Sequence, residues 1–245
     1  MNAPNPSESP TPENAAATGP GLGDGLMSTA KVDNYRSQRG ASAYYQDHQS
    51  KMHRRLSDRR ERRILSEFLT RCASTRDGRK LGSLLDCPSG YGRLIGLFRE
   101  HADAVIEGDF SPSMLALNEE LHGDEAREYL QCSALDVPRP DRTFDAVVSI
   151  RLSHHLDEVE DRRQHIRELC RISDDVVILT FFSATSLKNR LRRLRALWNK
   201  KRPKNTLAPK EVRRTFAECG FEVARMVPLA RVGSGHVYTL ARRRS

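Results

Sequence analysis

The stretch Leu84-Leu85-Asp86-Cys87-Pro88-Ser89-Gly90-Tyr91-Gly92-Arg93 decides the fold. The short apolar run Leu81–Leu85 reads as a buried strand, which ends at an acidic residue. A turn of small residues follows, and a helical pattern runs over Arg93–His101. Glycines let a ligand approach the backbone, and a helix start offers N–H groups without intrahelical partners. Such a turn suits a phosphate, or the carboxylate of an amino-acid cofactor. Asp86 stands where it can pair with an ammonium group, directly or through water. No Lys-Ser/Thr follows the glycines, which excludes the G-x-x-x-x-G-K-S/T phosphate loop. Taken alone, the motif also fits a tight strand-to-helix turn without a ligand.

Beyond this turn, strands and helices alternate. Ala104–Ile106 reads as a second strand, and a third helix-forming stretch follows it, with Ser111 as cap and Pro112 at its first position. Tyr129–Cys132 and Phe144–Ile150 read as the third and fourth strands. The unbroken apolar run of the fourth implies burial on both faces. Leu156–Ile172 is an amphipathic helix, and Val176–Phe182 is a fifth strand. Pro209–Cys219 reads as a helix closed by Gly220. Phe221–Val227 and Val237–Leu240 read as an antiparallel hairpin at a sheet edge. The predicted architecture is α/β: a doubly wound, mostly parallel seven-stranded sheet with an antiparallel C-terminal hairpin.

The flanks differ in kind. Residues 1–30 are dominated by Pro, Gly, Ser, Ala and Asn and read as a disordered tail, because nothing there offsets the entropy of ordering. Five prolines in the first twenty residues exclude a secretory signal. Residues 31–78 read as an N-terminal helical lid, with Leu56, Ile64, Leu65, Phe68 and Leu69 in a broken apolar stripe and Arg76-Asp77-Gly78 as a closing turn. The main domain is placed at 79–245. No window approaches the ~20 apolar residues of a membrane span. The scattered Cys72, Cys87, Cys132, Cys170 and Cys219 suggest reduced thiols, a cytoplasmic location and no metal site. The net charge of +9 favours an anionic partner without choosing among nucleic acid, membrane surface and phosphorylated substrate.

A second motif stands seventeen residues past Gly92: Val105-Ile106-Glu107-Gly108-Asp109-Phe110-Ser111-Pro112-Ser113-Met114-Leu115. A carboxylate at the end of the second strand of such a sheet accepts hydrogen bonds from ribose hydroxyls. With both motifs in view, the chain resembles the class I S-adenosylmethionine-dependent methyltransferases over roughly Leu81 to Phe182. Asp86, Gly90 and Gly92 match the family's acid and glycine-rich turn, with Pro88 in place of its usual first glycine. The string from Asp109 is close to the family's Asp-x-Ser-x-x-Met-Leu. Cys132-Ser133-Ala134-Leu135-Asp136-Val137-Pro138, Phe144-Asp145-Ala146-Val147-Val148-Ser149 and Leu152-Ser153-His154-His155-Leu156 resemble its later segments.

The resemblance implies a Rossmann-like methyltransferase fold and S-adenosyl-L-methionine as cofactor. Its contacts would come from Asp86, Pro88, Ser89, Gly90, Gly92, Asp109, Phe110, Ser133 and Ala134. Ser133 stands where many relatives have an aspartate toward the adenine amino group. A dehydrogenase is the nearest competitor, but Gly90, Gly92 and Gly96 miss the G-x-G-x-x-G spacing by one residue.

The implied chemistry is in-line methyl transfer, in which the protein aligns donor and acceptor and excludes water. An oxygen acceptor also needs a base. His154 and His155 follow the fourth strand at the carboxyl edge of the sheet, and His155 is the catalytic candidate because it matches the family's more recurrent position. Packing and solvation are the alternative roles of the two rings. A basic insertion at 183–207 contains LKNRLRRLRALWNKKRPK, with nine Lys or Arg, no acid, and Leu187, Leu191, Leu194 and Trp198 at helical spacing. It fits an anionic membrane face or lipid-like acceptor, with RNA as a weaker alternative and a self-docked helix as the plain one. The leading reading is methyl transfer to a small or lipid-linked acceptor at oxygen or carbon. The alternative is an RNA-directed methyltransferase or a non-catalytic nucleic-acid-binding relative. Deleting residues 1–30 is expected to leave the melting temperature and cofactor affinity unchanged, as read by thermal unfolding and calorimetry. A large loss of stability would show that the tail carries structure.

Overall fold

The computed structural model describes residues 52–74, 77–196, 205–230 and 234–244. The tail at 1–30, the first part of the expected helical segment and Trp198 lie outside the described residues. The elements run α1 (Met52–Ser74), β1 (Leu81–Asp86), α2 (Ile95–His101), β2 (Ala102–Asp109), α3 (Pro112–His122), β3 (Glu128–Gln131), β4 (Phe144–Ser149), α4 (Val159–Ile172), β5 (Ser173–Phe182), α5 (Leu187–Ala196), α6 (Pro209–Glu218), β6 (Phe221–Pro228) and β7 (His236–Arg243). One seven-stranded sheet has the order β3-β2-β1-β4-β5-β7-β6. β1 to β5 pair in parallel, and β7 is antiparallel to both β5 and β6. The order reverses between β1 and β4, which puts the ligand crevice of an open α/β sheet at their carboxyl ends.

Several elements differ from their predicted bounds for local reasons. β5 and β7 extend beyond their apolar runs because polar side chains hold the added residues: Arg242 Nη2 donates to Asp175 at 2.6 Å, and Arg243 Nη2 to the Ser173 carbonyl at 2.6 Å. α2 begins at Ile95 rather than Arg93, since Arg93 and Leu94, after the glycines, still have turn conformation. α4 begins at Val159 rather than Leu156, since Ser153–His155 forms a separate 3₁₀ turn.

Apolar side chains fill both sides of the sheet. On one side Ile166 and Leu169 of α4 and Val212 and Phe216 of α6 meet Val147, Val177 and Leu179. On the other, Leu65, Phe68 and Leu69 of α1 and Phe98 of α2 meet Ala146, Val148, Ile178 and Tyr238. Each such side chain contributes about 1.5–3 kcal/mol by leaving water. The described part of the segment read as a lid is therefore a structural layer of the core. Leu65 and Phe68 have no exposed area, so moving α1 aside would expose the sheet.

Charge locks α1 in place as well. Glu61 is fully buried and accepts from Arg93 Nη2 at 3.0 Å and from Arg151 Nη2. Asp58 also accepts from Arg93, and Arg62 donates to the Arg93 carbonyl. One buried carboxylate thus ties α1 to the residue after the glycine turn and to the residue after β4. Burial alone would raise the Glu61 carboxyl, but Arg93 and Arg151 outweigh it and hold it below the ordinary range. Removing one member of a buried ion pair leaves an uncompensated charge and costs about 3–5 kcal/mol. Glu61→Ala is expected to lose stability on that scale in chemical denaturation. A depressed carboxyl stabilises the fold above the ordinary glutamate pKa of about 4.3, and that contribution is lost as pH falls through the lower folded value. The wild-type advantage over Glu61→Ala should therefore be full at pH 6 and shrink in acid.

Candidate active site

The strand-end turn is held from three sides. Cys87 N–H donates to the Val148 carbonyl of β4 at 2.9 Å, and Ser89 N–H donates to the Gly108 carbonyl of β2 at 2.8 Å. Gly90 N–H donates to Asp109 Oδ2, also at 2.8 Å. The Cys87–Pro88 peptide is cis. Gly90 has φ +59°, and a Cβ there would meet no heavy atom within 4 Å. Its exposed side is therefore open to a ligand approaching the backbone. Gly92 has a different role. A Cβ there would lie 2.0 Å from Asn118 Oδ1, so Gly92 lets α3 approach the turn.

Asp86, Glu107 and Asp109 bring three carboxylates to this place, all buried. Asp86 and Glu107 are neighbours across the β1–β2 register. Asp109 Oδ1 accepts from Ser111 N–H at 2.8 Å, and the Ser111 hydroxyl accepts from Met114 N–H at 3.3 Å, capping α3 as expected. Glu107 Oε2 accepts from Asn118 Nδ2 at 2.8 Å. Among the described residues, Asp86 Oδ1 and Glu107 Oε1 have no hydrogen-bond partner despite full burial. Burial, and then the negative charge of Glu107, push the Asp86 carboxyl well above the usual range. Burial pushes Glu107 up to about 7, with Asn118 opposing. Burial also raises Asp109, against the pull of the Ser111 and Gly90 N–H groups.

A positively charged ligand relieves such a cluster. S-adenosylmethionine has an ammonium and a sulfonium, and the two orphaned carboxylate oxygens and open Gly90 backbone fit it. Asp86 would face the ammonium. Asp109 retains acceptor capacity for ribose hydroxyls, since an ionised carboxylate has about four lone-pair sites. Ser133 and Ala134 follow β3 on the adjacent edge. The Ser133 hydroxyl accepts from Leu135 N–H at 3.2 Å, which leaves its own proton to donate, and Ala134 is buried in the core. Phe110 follows Asp109 and is half-buried. Glu107 was not singled out from the sequence. Its signal is a carboxylate inside an apolar strand two residues before another.

The end of β4 and β5 forms a second cluster, walled by rings. The His154 ring stacks on Phe182 at 4.2 Å and lies 4.1 Å from His155, centroid to centroid. His236 of β7 meets Phe182 at 4.3 Å and His154 at 5.3 Å. His236 Nδ1 is shielded from solvent and has no hydrogen-bond partner among the described residues. Burial, and next the charge of Arg151, push His236 down to about 4, so the ring is neutral at physiological pH. His236 is a site residue that the sequence reading missed, because only the antiparallel pairing of Phe182 with His236 brings it here. Arg151 has φ +66°, a strained conformation for a residue with a Cβ. It is held by Thr180 Oγ1, which accepts from its N–H at 2.6 Å, and by Glu61.

Residues 85–178 match the family model of the methyltransferase domain. Over that stretch the chain is similar to class I S-adenosylmethionine-dependent methyltransferases. Over 106 residues it is 33% identical to a phosphatidylethanolamine N-methyltransferase of Cereibacter sphaeroides, covering 42% of this chain and 52% of that one. Over 120 residues it is 28% identical to a ubiquinone/menaquinone biosynthesis C-methyltransferase of Cronobacter sakazakii, covering 45% and 44%. The chain thus spans about half the length of these curated relatives. A magnesium protoporphyrin IX methyltransferase of Synechocystis PCC 6803, solved with bound SAH, shares the fold. It superposes with a TM-score of 0.70 at 16% identity over 88% of this chain and 99% of that one.

Asp109→Ala is expected to weaken S-adenosylmethionine by about 1–3 kcal/mol through lost hydrogen bonds to a charged acceptor. Gly90→Val should cost at least as much, since it fills the open side of the turn and strains a positive φ. Unchanged calorimetric affinity in both folded variants would contradict the site. Glu107 also makes stability depend on pH. Its folded value of about 7 lies above the ordinary glutamate value of about 4.3, so the folded state binds more protons between them. Its burial therefore costs stability increasingly as pH rises through that window. Glu107→Gln should raise the melting temperature more at pH 8 than at pH 5; an equal change at both would show that Glu107 titrates normally.

Proposed function

We propose that the chain transfers the methyl group of S-adenosylmethionine to an acceptor with a large apolar body, at an oxygen or carbon that must lose a proton. The observation that carries this reading is the ring-walled edge formed by His154, His155, Phe182 and His236, beside the crossover between β1 and β4. Flat rings offer apolar area to a hydrocarbon or conjugated acceptor. S-adenosylmethionine supplies the activated methyl group. The chain aligns the acceptor, excludes water and removes the acceptor's proton.

The half-buried imidazole of His155 suits that last task, and the neutral His236 stands beside it as a hydrogen-bonding group at Nδ1. The names of the relatives support the apolar body of the acceptor: one is a phosphatidylethanolamine N-methyltransferase, one a C-methyltransferase of ubiquinone/menaquinone biosynthesis, and one a magnesium protoporphyrin IX methyltransferase. The insertion begins and ends beside the rings. Ser183 and Leu207 form a bridge, and Leu207 N–H donates to the Phe182 carbonyl at 2.9 Å. Asn205 Nδ2 donates to Asp157 Oδ1 at 2.9 Å, just past His155.

Incubation with methyl-labelled S-adenosylmethionine and a total cell extract tests the proposal. Enzyme-dependent label is expected in the organic phase, and label confined to RNA or to polar metabolites would overturn it. His155→Ala is expected to lower kcat by about 10² while leaving cofactor affinity unchanged. An unaltered kcat in single-turnover measurements would remove His155 from the chemistry.

A further inference from the structure

The helix α5 presents a face that the methyltransferase site does not use. Its ten residues, Leu187 to Ala196, include five Lys or Arg and no acid. Leu187 and Leu191 are 51% and 45% exposed, against the usual fate of leucine in a folded domain. Asn189, between them, is 2% exposed. Its Nδ2 donates to the Ser183 carbonyl at 2.9 Å, and a Cβ at Gly235 would lie 2.6 Å from that nitrogen. Asn189 therefore seats the helix firmly on the end of the sheet.

This seating fixes which way the other side chains face. Successive residues turn by about 100° around an α-helix, so positions two before and two after Asn189 both lie roughly opposite it. Leu187 and Leu191 thus form one ridge directed away from the protein. Lys188 and Arg190 lie about 100° to either side of Asn189, flanking the ridge with positive charge. An apolar ridge between two rows of cations is the cross-section of a helix lying in a membrane interface. Phosphate contacts alone, as in RNA binding, would not call for the leucines. The charge complements acidic headgroups, and the ridge complements the acyl layer below them.

We propose that α5 docks the protein on an anionic lipid bilayer, with Leu187 and Leu191 entering the apolar layer and Lys188 and Arg190 meeting headgroup phosphates. The helix starts five residues after Phe182, so docking would bring the ring-walled edge close to the bilayer. The contact needs no turnover and stands apart from the acceptor proposal, which can fail without it.

Sedimentation of the full chain with vesicles tests it, using phosphatidylcholine alone and phosphatidylcholine mixed with phosphatidylglycerol. The wild type is expected to sediment with the mixed vesicles, weakly or not at all with the neutral ones, and less as salt rises. Leu187→Ser with Leu191→Ser, and separately Lys188→Gln with Arg190→Gln, should each weaken binding at least roughly tenfold. Unchanged thermal unfolding would show that both variants fold. The proposal is overturned if the wild type fails to sediment with anionic vesicles at low salt, or if the serine variant binds as well as the wild type. Wild-type binding to an RNA oligonucleotide without binding to vesicles also overturns it.

Discussion

Three carboxylates buried at the ends of two neighbouring parallel strands form the constraint on which the site depends. A chain has little reason to place Asp86, Glu107 and Asp109 together among Leu85, Ile106 and Cys87, since each charge loses hydration there. The backbone offsets part of that cost: Gly90 and Ser111 donate to Asp109, and Asn118 donates to Glu107. The remainder is left unmet at Asp86 Oδ1 and Glu107 Oε1. An arrangement that is poorly satisfied by itself is well suited to a cationic cofactor. Raised carboxyl pKa values are concentrated where binding can relieve them.

The rest of the molecule keeps that arrangement rigid and sets the ring-walled edge beside it. Glu61 joins Arg93, after the glycine turn, to Arg151, after β4, so one buried anion fixes the two strand ends flanking the crossover. β5 continues from that crossover to Phe182, and β7 returns beside it to bring in His236. Cofactor turn and ring-walled edge are thus built on adjacent strands of one sheet rather than on independent loops.

Much of this was legible in the sequence. Asp86, the Gly90 turn and Asp109 could be read because their roles are local: a strand ends, a turn opens, and the spacing to the next acid is short. The order of strands followed from alternation, and Ser111 and Pro112 announced α3. Glu61 was not legible, because its partners lie 32 and 90 residues away and pair only once the sheet exists. The same holds for His236, whose place comes from antiparallel pairing. Gly92 was legible as a glycine of the turn, but the approach of Asn118 to it was not, since that contact forms only once α3 packs beside the turn. The apolar stripe of α1 was legible, but its packing of Leu65 and Phe68 against the sheet was not, because periodicity shows that a face is buried and not against what.

The most direct measurement is titration calorimetry of the full chain with S-adenosylmethionine between pH 6 and 8, in buffers of different ionisation enthalpy. If the carboxylate cluster receives the cationic cofactor, binding favours the ionised carboxyls. Protons are then released, and affinity rises with pH until Glu107, near 7, has titrated. Absence of binding, or an affinity that stays constant across this range with no proton release, would contradict the account.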